Sequence, residues 1–277
     1  MQIATRGNRK VLYTYSPGVK ATSGKAVPLL FHHGVGLTSD AWVPWAVGGQ
    51  LEDRSLLAIE MRGHGAAADE WSGGCTLDDF VEDAAIAIED AGFKSCDFVG
   101  ESFGGTIGLA LAARTPGLVR SLTLISTAYE GSQIPTLDEW PELVRSGRWA
   151  EWMTERRLGR QSDAVLHEWV TSQNRQAAPD AVLAVANILQ ETNLRADLVS
   201  IECPTHIIAP TESPFVGTDR ARELLVNMPE STHTELTYVP GALHGIVISH
   251  PEVCLVATLS FIERHVIANI GSPSNRR

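Results

Sequence analysis

The alternation of apolar runs with amphipathic segments constrains the fold of this chain more than any other feature of its sequence. Residues 27–34 (VPLLFHHG) and 55–65 (SLLAIEMRGHG) are short apolar runs that end at a glycine, which is typical of strands buried on both faces. Residues 76–93 predict an amphipathic helix that begins with Thr76 and Asp79 in the spacing of a capping box. Strands that alternate with helices favour a parallel sheet joined by right-handed crossovers.

The same alternation continues further along the chain. A predicted strand over residues 95–100 is followed by a glycine-rich turn, a helix over 104–115 and a strand over 121–127. Near the C-terminus the pattern predicts a strand over 204–210, a helix over 219–229, a strand over 234–245 and a helix over 251–266. We therefore predict the α/β class, with a mostly parallel, doubly wound sheet and helices on both faces.

The alternation is interrupted between residues 129 and 200. This segment has a helical pattern without a convincing strand, and it holds four of the seven tryptophans: Trp140, Trp149, Trp152 and Trp169. An insertion of this kind is typical of a helical cap. We therefore predict two units, a core formed by residues 1–128 and 201–277 and a cap formed by residues 129–200.

The composition argues against several classes of protein. The net charge of −11 disfavours nucleic acid as a partner, because binding a polyanion requires a basic face. The four cysteines are scattered without a CxxC pair, so we expect neither a zinc site nor a disulfide framework. No apolar stretch approaches the roughly 20 residues of a membrane span, and the N-terminus lacks the apolar segment of a signal peptide. We expect a cytoplasmic monomer or homodimer that acts on a small molecule without metal or cofactor.

The sequence GESFG, residues 100–104, places Ser102 between two glycines at the junction of a predicted strand and a predicted helix. In the Gly-x-Ser-x-Gly pattern, a serine hydroxyl projects above a sheet from a tight turn. Glycines flank the serine because larger side chains would collide where the strand and the helix fold against each other. A tight turn with an idle serine is the alternative, but the strand and helix on either side favour a nucleophile.

A serine hydroxyl near neutral pH needs an adjacent base before it can act as a nucleophile. Among the nine histidines, His244 lies at the end of the last predicted strand, late in the chain, where the order serine, acid, histidine places the base. We interpret His250, which precedes Pro251, as a surface residue at the start of the last helix. The remaining histidines are interpreted as structural or solvent-exposed.

Acyl transfer also requires donors that stabilise negative charge on the carbonyl oxygen, and two backbone N–H groups are the simplest such pair. One is expected from Phe103, which follows the nucleophile, and the other from the loop after the first buried strand. Gly34 allows that loop to pass close to Ser102, so Val35 is the expected second donor. An ordinary glycine turn is the alternative interpretation of this loop.

With these features together, the chain resembles the α/β-hydrolase superfamily, and within it small capped members such as the 3-oxoadipate enol-lactonases and meta-cleavage-product hydrolases. The resemblance rests on His33-Gly34, RGHG (62–65), GESFGG (100–105), CPTHIIAPTESPFV (203–216) and GALHGIVISHPE (241–252). It covers nearly the whole chain outside the cap, and it implies the α/β-hydrolase fold with an inserted cap. It also implies His244 as the base, because the family histidine lies seven positions before the proline of the final helix.

One position departs from the family pattern. Ser213 precedes the sequence PFV where the relatives usually have the aspartate of the triad. Glu212, one residue earlier, is the nearest carboxylate and is our prediction for the acid that orients the histidine. Glu130 and Asp219 are the alternatives, as is a triad with a weakened or absent acid, a loss that elsewhere lowers kcat by about 10⁴.

The resemblance implies hydrolysis of a small-molecule ester or lactone through an acyl-enzyme that water then cleaves. Dehalogenase and epoxide hydrolase chemistry are disfavoured, because those relatives have an aspartate where Ser102 stands. Hydrolysis of a carbon–carbon bond in a ring-cleavage product uses the same residues, and a slow-turnover ligand-binding receptor is the alternative of another class. At the substrate site we expect Gly34, Trp140 and Trp152, although aromatic residues at helical spacing also pack between cap and core.

Overall fold

The computed structural model describes residues 1–18, 27–47, 50–71, 73–230 and 232–267. Eight strands form one sheet: β1 (Gln2–Arg6), β2 (Arg9–Ser16), β3 (Leu29–His32), β4 (Leu56–Glu60), β5 (Cys96–Glu101), β6 (Val119–Ile125), β7 (Thr205–Pro210) and β8 (Thr234–Val239). Their order is β1-β2-β4-β3-β5-β6-β7-β8. Strand β2 is antiparallel to both of its neighbours and every other pair is parallel, which confirms the predicted mostly parallel sheet.

The helices follow the strands in the predicted alternation. In the described part of the chain the α-helices are α1 (Val43–Ala46), α2 (Leu77–Asp90), α3 (Phe103–Arg114), α4 (Trp140–Arg145), α5 (Trp149–Leu158), α6 (Ala164–Asn174), α7 (Pro179–Glu191), α8 (Thr218–Asn227), α9 (Ile246–Ser249) and α10 (Pro251–Ile262). None of the described helices combines the length and the apolar character that crossing a membrane requires.

Hydrophobic cores lie on both faces of the sheet. Successive side chains of a strand point to opposite faces, so Leu30 of β3 packs in one core with Phe80 of α2 and Ile107 of α3. Its neighbour Phe31 packs in the other core with Leu255 of α10. Burial on both faces explains why the central strands read as continuous apolar runs in the sequence.

Local signals account for some elements and not for others. Helix α2 begins at the predicted capping box, in which the N–H of Thr76 donates to Asp79 Oδ2 at 2.8 Å. The sequence pattern did not predict the antiparallel pair β1 and β2. Strand β1 buries only Ala4, so it lacks the apolar run that marks the interior strands.

The segment between β6 and β7 contains α4 to α7 and is here called the helical insertion (residues 129–200). Its two ends approach each other through a bridge between Glu130 and Asn193. The insertion reaches the carboxyl ends of the parallel strands, because Arg157 of α5 contacts Glu101, the last residue of β5. The division of the chain into a core and a cap stays a prediction.

Candidate active site

Ser102 lies at the sharp turn between β5 and α3. Its backbone has φ 55° and ψ −119°, a strained conformation for a residue other than glycine. The N–H of Ser102 donates to the carbonyl of Ile125 at 2.8 Å, and its carbonyl accepts from the N–H of Gly105 at 2.9 Å. A Cβ at Gly104 would lie 2.2 Å from the carbonyl oxygen of His32, so the close approach of α3 to β3 requires glycine there. The strand–turn–helix context predicted for Ser102 is therefore present.

His244 lies in the loop between β8 and α9, and its Nε2 is 3.0 Å from Ser102 Oγ. The hydroxyl of Ser126 donates to the carbonyl of His244 at 2.8 Å, and the ring of Phe215 packs edge-on to the imidazole at 4.7 Å. Burial, together with the charge of Arg157, holds the pKa of His244 well below its usual value. The imidazole is consequently neutral near pH 7 and can accept a proton.

The third group at His244 is not the predicted one. Ser213, which stands where the resemblance leads us to expect an aspartate, has its Oγ 3.2 Å from His244 Nδ1. Its Oγ also accepts hydrogen bonds from the backbone N–H groups of Phe215 at 3.2 Å and Val216 at 3.1 Å. These bonds hold the hydroxyl beside the imidazole.

Glu212, the predicted acid, is exposed to solvent. Its backbone N–H donates to the carbonyl of Ala242 at 2.9 Å, so the main chain rather than the carboxylate faces the loop that carries the histidine. The carboxylate itself lies 3.5 Å from the hydroxyl of Thr211. The expectation that Glu212 orients His244 is corrected for this reason.

The two alternative acids lie elsewhere. Glu130 is paired with Arg195 at 2.8 Å. Asp219 is exposed in the first turn of α8. No hydrogen bond or ion pair joins either carboxylate to His244 among the described residues, so proximity in sequence to strand ends did not identify a charged partner for the histidine.

Val35 and Phe103 are buried and line the cavity above Ser102. Phe103 is the first residue of α3, and the first N–H groups of a helix have no acceptor within it. Within the described residues, neither its N–H nor that of Val35 donates to another backbone group. The role of these two groups as an oxyanion hole stays a prediction.

Gly34 has a different role from the predicted contact with substrate. It is not among the described residues that line the cavity. A Cβ at this position would lie 2.2 Å from Glu101 Oε2 and 2.8 Å from Ser102 Cβ. Gly34 thus allows the loop after β3 to approach the nucleophile turn and brings Val35 to the cavity.

The cavity above Ser102 has a volume of about 20 Å³, close to the space that one water molecule occupies. It is lined by Val35, Ser102, Phe103, Thr106, Ala128, Ile134, Trp140, Met153, Arg157, Leu189, Phe215, Val216 and His244. In the described ranges no group of three or more His, Cys, Asp or Glu side chains could hold a metal ion. Residues of the helical insertion form part of the wall of this cavity.

The two predicted tryptophans occupy different places. Trp140 lines the cavity, packs edge-on to Trp149 at 5.7 Å, and has a buried Nε1 without a hydrogen-bond partner in the described structure. Trp152 is not among the residues that line the cavity. It packs against Phe215 at 5.8 Å and lies under the guanidinium of Arg156 at 4.1 Å. Of the two, Trp140 alone lines the cavity in the described structure.

A buried ion pair lies beside the serine and the histidine. Arg157 Nη1 donates to Glu101 Oε1 at 2.6 Å, and Nη2 donates to the carbonyl of Val35 at 2.9 Å. Glu101 Oε1 is also 3.7 Å from His244 Nε2. No sequence pattern identified this pair, because its members are separated by 56 residues and meet only when the insertion packs on the sheet.

Comparison with known proteins agrees with this architecture. A family model described as alpha/beta hydrolase fold matches residues 27–197. A non-heme haloperoxidase of Rhodococcus erythropolis is 25% identical over 260 residues, which cover 87% of this chain and 93% of that protein. A 2-hydroxymuconate semialdehyde hydrolase of Pseudomonas sp. (strain CF600) is 34% identical over 108 residues, which cover 38% of each chain.

Solved structures show the same fold. The enol-lactonase from Burkholderia xenovorans LB400 superimposes with a TM-score of 0.83 at 18% identity, and the alignment covers 95% of this chain and 100% of that one. The resemblance drawn from the sequence motifs is confirmed. Because the family match extends over more than half of the sequence, the chain belongs to the alpha/beta hydrolase fold family.

Proposed function

We propose that this protein is a serine hydrolase that cleaves a small ester or lactone through an acyl-enzyme. The observation that carries the proposal is the distance of 3.0 Å between Ser102 Oγ and His244 Nε2 at the floor of a buried cavity. The free N–H groups of Val35 and Phe103 at the same cavity support it. The fold shared with an enol-lactonase is consistent with a carbonyl substrate.

The proposed reaction begins with neutral His244. Its Nε2 takes the proton of Ser102 Oγ as that oxygen attacks the substrate carbonyl carbon. The other ring proton is then on Nδ1, the nitrogen that faces Ser213 Oγ. The carbonyl electron pair moves onto its oxygen, which the N–H groups of Val35 and Phe103 stabilise.

The acyl-enzyme forms when the tetrahedral intermediate collapses. The bond to the leaving oxygen breaks, and the proton on Nε2 of His244 passes to that oxygen to give the alcohol. Water then attacks the acyl carbon while Nε2 accepts its proton. Collapse of the second intermediate breaks the bond to Ser102 Oγ, which recovers the proton as the carboxylic acid leaves.

The residues that line the cavity suit a substrate whose acyl group is small and carries a polar atom. Ile134, Met153 and Leu189 supply apolar surface. The buried Nε1 of Trp140 is an unsatisfied donor, and an oxygen acceptor on the substrate would remove the cost of leaving it unpaired. Short-chain esters that carry a second oxygen, and lactones, fit this combination.

Hydrolysis of a carbon–carbon bond is the second candidate. The 34% identity with a 2-hydroxymuconate semialdehyde hydrolase over 108 residues favours it. The same nucleophile and base would serve, so only a comparison of substrates separates the two reactions.

The test combines labelling with turnover. We expect a fluorophosphonate probe to label the wild-type protein stoichiometrically and Ser102→Ala not at all, while Ser172→Ala, which changes a serine of the insertion bound to the Trp169 carbonyl, is labelled as the wild type is. p-Nitrophenyl esters, lactones and ring-cleavage products then rank the substrate classes. Folded wild-type protein that neither reacts with the probe nor turns over any of these substrates would refute the proposal and favour a ligand-binding receptor on this fold.

A further inference from the structure

The group that meets Nδ1 of His244 carries no charge. In a serine–histidine–acid triad, a carboxylate at this position stabilises the imidazolium that forms when the histidine takes the serine proton. Ser213 Oγ provides a hydrogen-bonding partner at 3.2 Å but no negative charge. The positive charge that develops on His244 therefore needs its counter-charge from another side of the ring.

Glu101 lies on that other side. Its Oε1 is 3.7 Å from His244 Nε2, the atom that receives the proton, and its side chain is completely buried. In a buried site, opposite charges at such a distance attract each other far more strongly than in water. Among the described residues, Glu101 of β5 and Arg157 of α5 are the charged groups that lie against His244, whereas the loop after β7 presents Ser213 and Phe215 to the ring.

Arg157 fixes the position of Glu101. Its guanidinium donates to Glu101 Oε1 at 2.6 Å and to the carbonyl of Val35 at 2.9 Å, and its own carbonyl accepts from the N–H of Gly245 at 3.0 Å. This charge-assisted hydrogen bond holds the carboxylate beside His244. One residue of the insertion thus joins the nucleophile turn, the loop of the predicted oxyanion hole and the residue after His244.

The second oxygen of Glu101 supports a role beyond holding the insertion. Oε2 is buried and has no hydrogen-bond partner among the described residues, although it lies close to Gly34 and Ser102. An unsatisfied carboxylate oxygen is unfavourable in a pair that serves only stability. Such a group is uncommon in a native structure, and a catalytic role is one explanation for it.

We propose that Glu101 is a positioning residue whose charge stabilises the His244 imidazolium in place of the acid that Ser213 has replaced. Arg157 holds the Glu101 carboxylate near Nε2. The proposal rests on the proposed function, because it requires His244 to act as the base for Ser102.

The pH dependence of kcat/KM distinguishes the charge of Glu101 from its packing. Glu101→Gln keeps the shape of the side chain but leaves the charge of Arg157 uncompensated, so protonation of His244 becomes less favourable. We expect kcat to fall by about tenfold or more. The acid limb, which is the fall of kcat/KM at low pH, should move to lower pH. Arg157→Met leaves Glu101 uncompensated, so the acid limb moves to higher pH. Structural damage has no reason to move the limb in opposite directions, and shifts of the same sign or no shift would overturn the proposal.

A second experiment places a carboxylate on the other side of the ring. Ser213→Asp in the Glu101→Gln background supplies charge at Nδ1, and we expect it to recover about tenfold or more of the lost kcat. In the wild-type background the same change should alter kcat by about threefold or less, because Glu101 already provides the charge. If Ser213→Asp raises kcat by the same factor in the two backgrounds, the proposal is wrong. If Glu101→Gln fails to fold, a rise in kcat of about 100-fold on Ser213→Asp in the wild type still contradicts the proposal.

Glu130→Gln is the matched control, because it removes the carboxylate of a glutamate–arginine pair at 2.8 Å that lies outside the cavity. Its pH profile should equal that of the wild type. Labelling of Ser102 by the phosphonate probe separates the two levels of inference. If no activity depends on Ser102, the proposed function fails; if activity depends on Ser102 but the profiles do not move, only the role of Glu101 fails.

Discussion

Replacing Gly34 by alanine tests the loop that carries Val35. The new Cβ would lie 2.2 Å from Glu101 Oε2 and 2.8 Å from Ser102 Cβ, whereas non-bonded carbon atoms attract best at about 3.5–4.0 Å. The loop and the nucleophile turn must therefore separate by about 1 Å. A misplacement of that size can lower a rate by about 10²-fold, and losing one oxyanion donor lowers kcat by about 10²–10³. We expect Gly34→Ala to lower kcat by about 10²–10³ with little change in KM.

The assay measures kcat and KM for a p-nitrophenyl ester together with the melting temperature of each variant. Gly217→Ala is the control, because a Cβ at Gly217 meets no atom within 4 Å. We expect the control to keep the activity of the wild type, and Gly34→Ala to remain folded with only modest destabilisation. Activity of Gly34→Ala within threefold of the wild type would refute the assignment of Val35 to the oxyanion hole.

Three further predictions concern the histidines and Trp140. His244→Ala should lower kcat about as much as Ser102→Ala does, because the two residues act as a unit, and an active His244→Ala enzyme would contradict this role. Burial lowers the pKa of His32 and of His64 to about 3, whereas each has a pKa of about 6.5 in the unfolded chain. Between these two values the unfolded state binds more protons than the folded state. The free energy of unfolding therefore falls as the pH decreases from 6.5 towards 3. Each of these two histidines should lower the free energy of unfolding by about 2 kcal/mol at pH 5 relative to pH 7.5. Urea denaturation measures this difference, and equal stability at the two pH values would contradict the prediction. Trp140→Phe should lower kcat/KM about tenfold for substrates with a second oxygen but little for simple alkyl esters, which a comparison of matched esters measures.

The sequence predicted the interior of the fold because the physical causes are local. Short apolar runs closed by glycine became β3 and β4, and the capping box of Thr76 and Asp79 marked the start of α2. The antiparallel pair at the edge of the sheet was missed because an edge strand such as β1 buries a single small side chain. Edge strands carry little of the hydrophobic pattern on which such predictions depend.

The same distinction applies to the candidate site. Ser102 and His244 could be proposed because a strand–turn–helix junction and the order of elements bring them to one edge of the sheet. Glu212 was chosen because it is a carboxylate one residue from the expected position. The structure places Ser213 at His244 instead, because the backbone of Glu212 bonds to the histidine loop and its carboxylate is directed to solvent. Two adjacent residues of this loop have side chains that point in different directions. Residue type alone does not reveal which of the two faces the imidazole.

The pairing of Glu101 with Arg157 shows why the missing charge could not be located from the sequence. A negative charge close to the ring favours the charged imidazolium, and this electrostatic effect acts from either side of the ring. Ser213 leaves the Nδ1 side uncharged, while Glu101 lies 3.7 Å from Nε2 and is held there by an arginine 56 residues away. Because the arginine belongs to the insertion, displacement of α5 during substrate binding would loosen Glu101 and the loop of Val35 together.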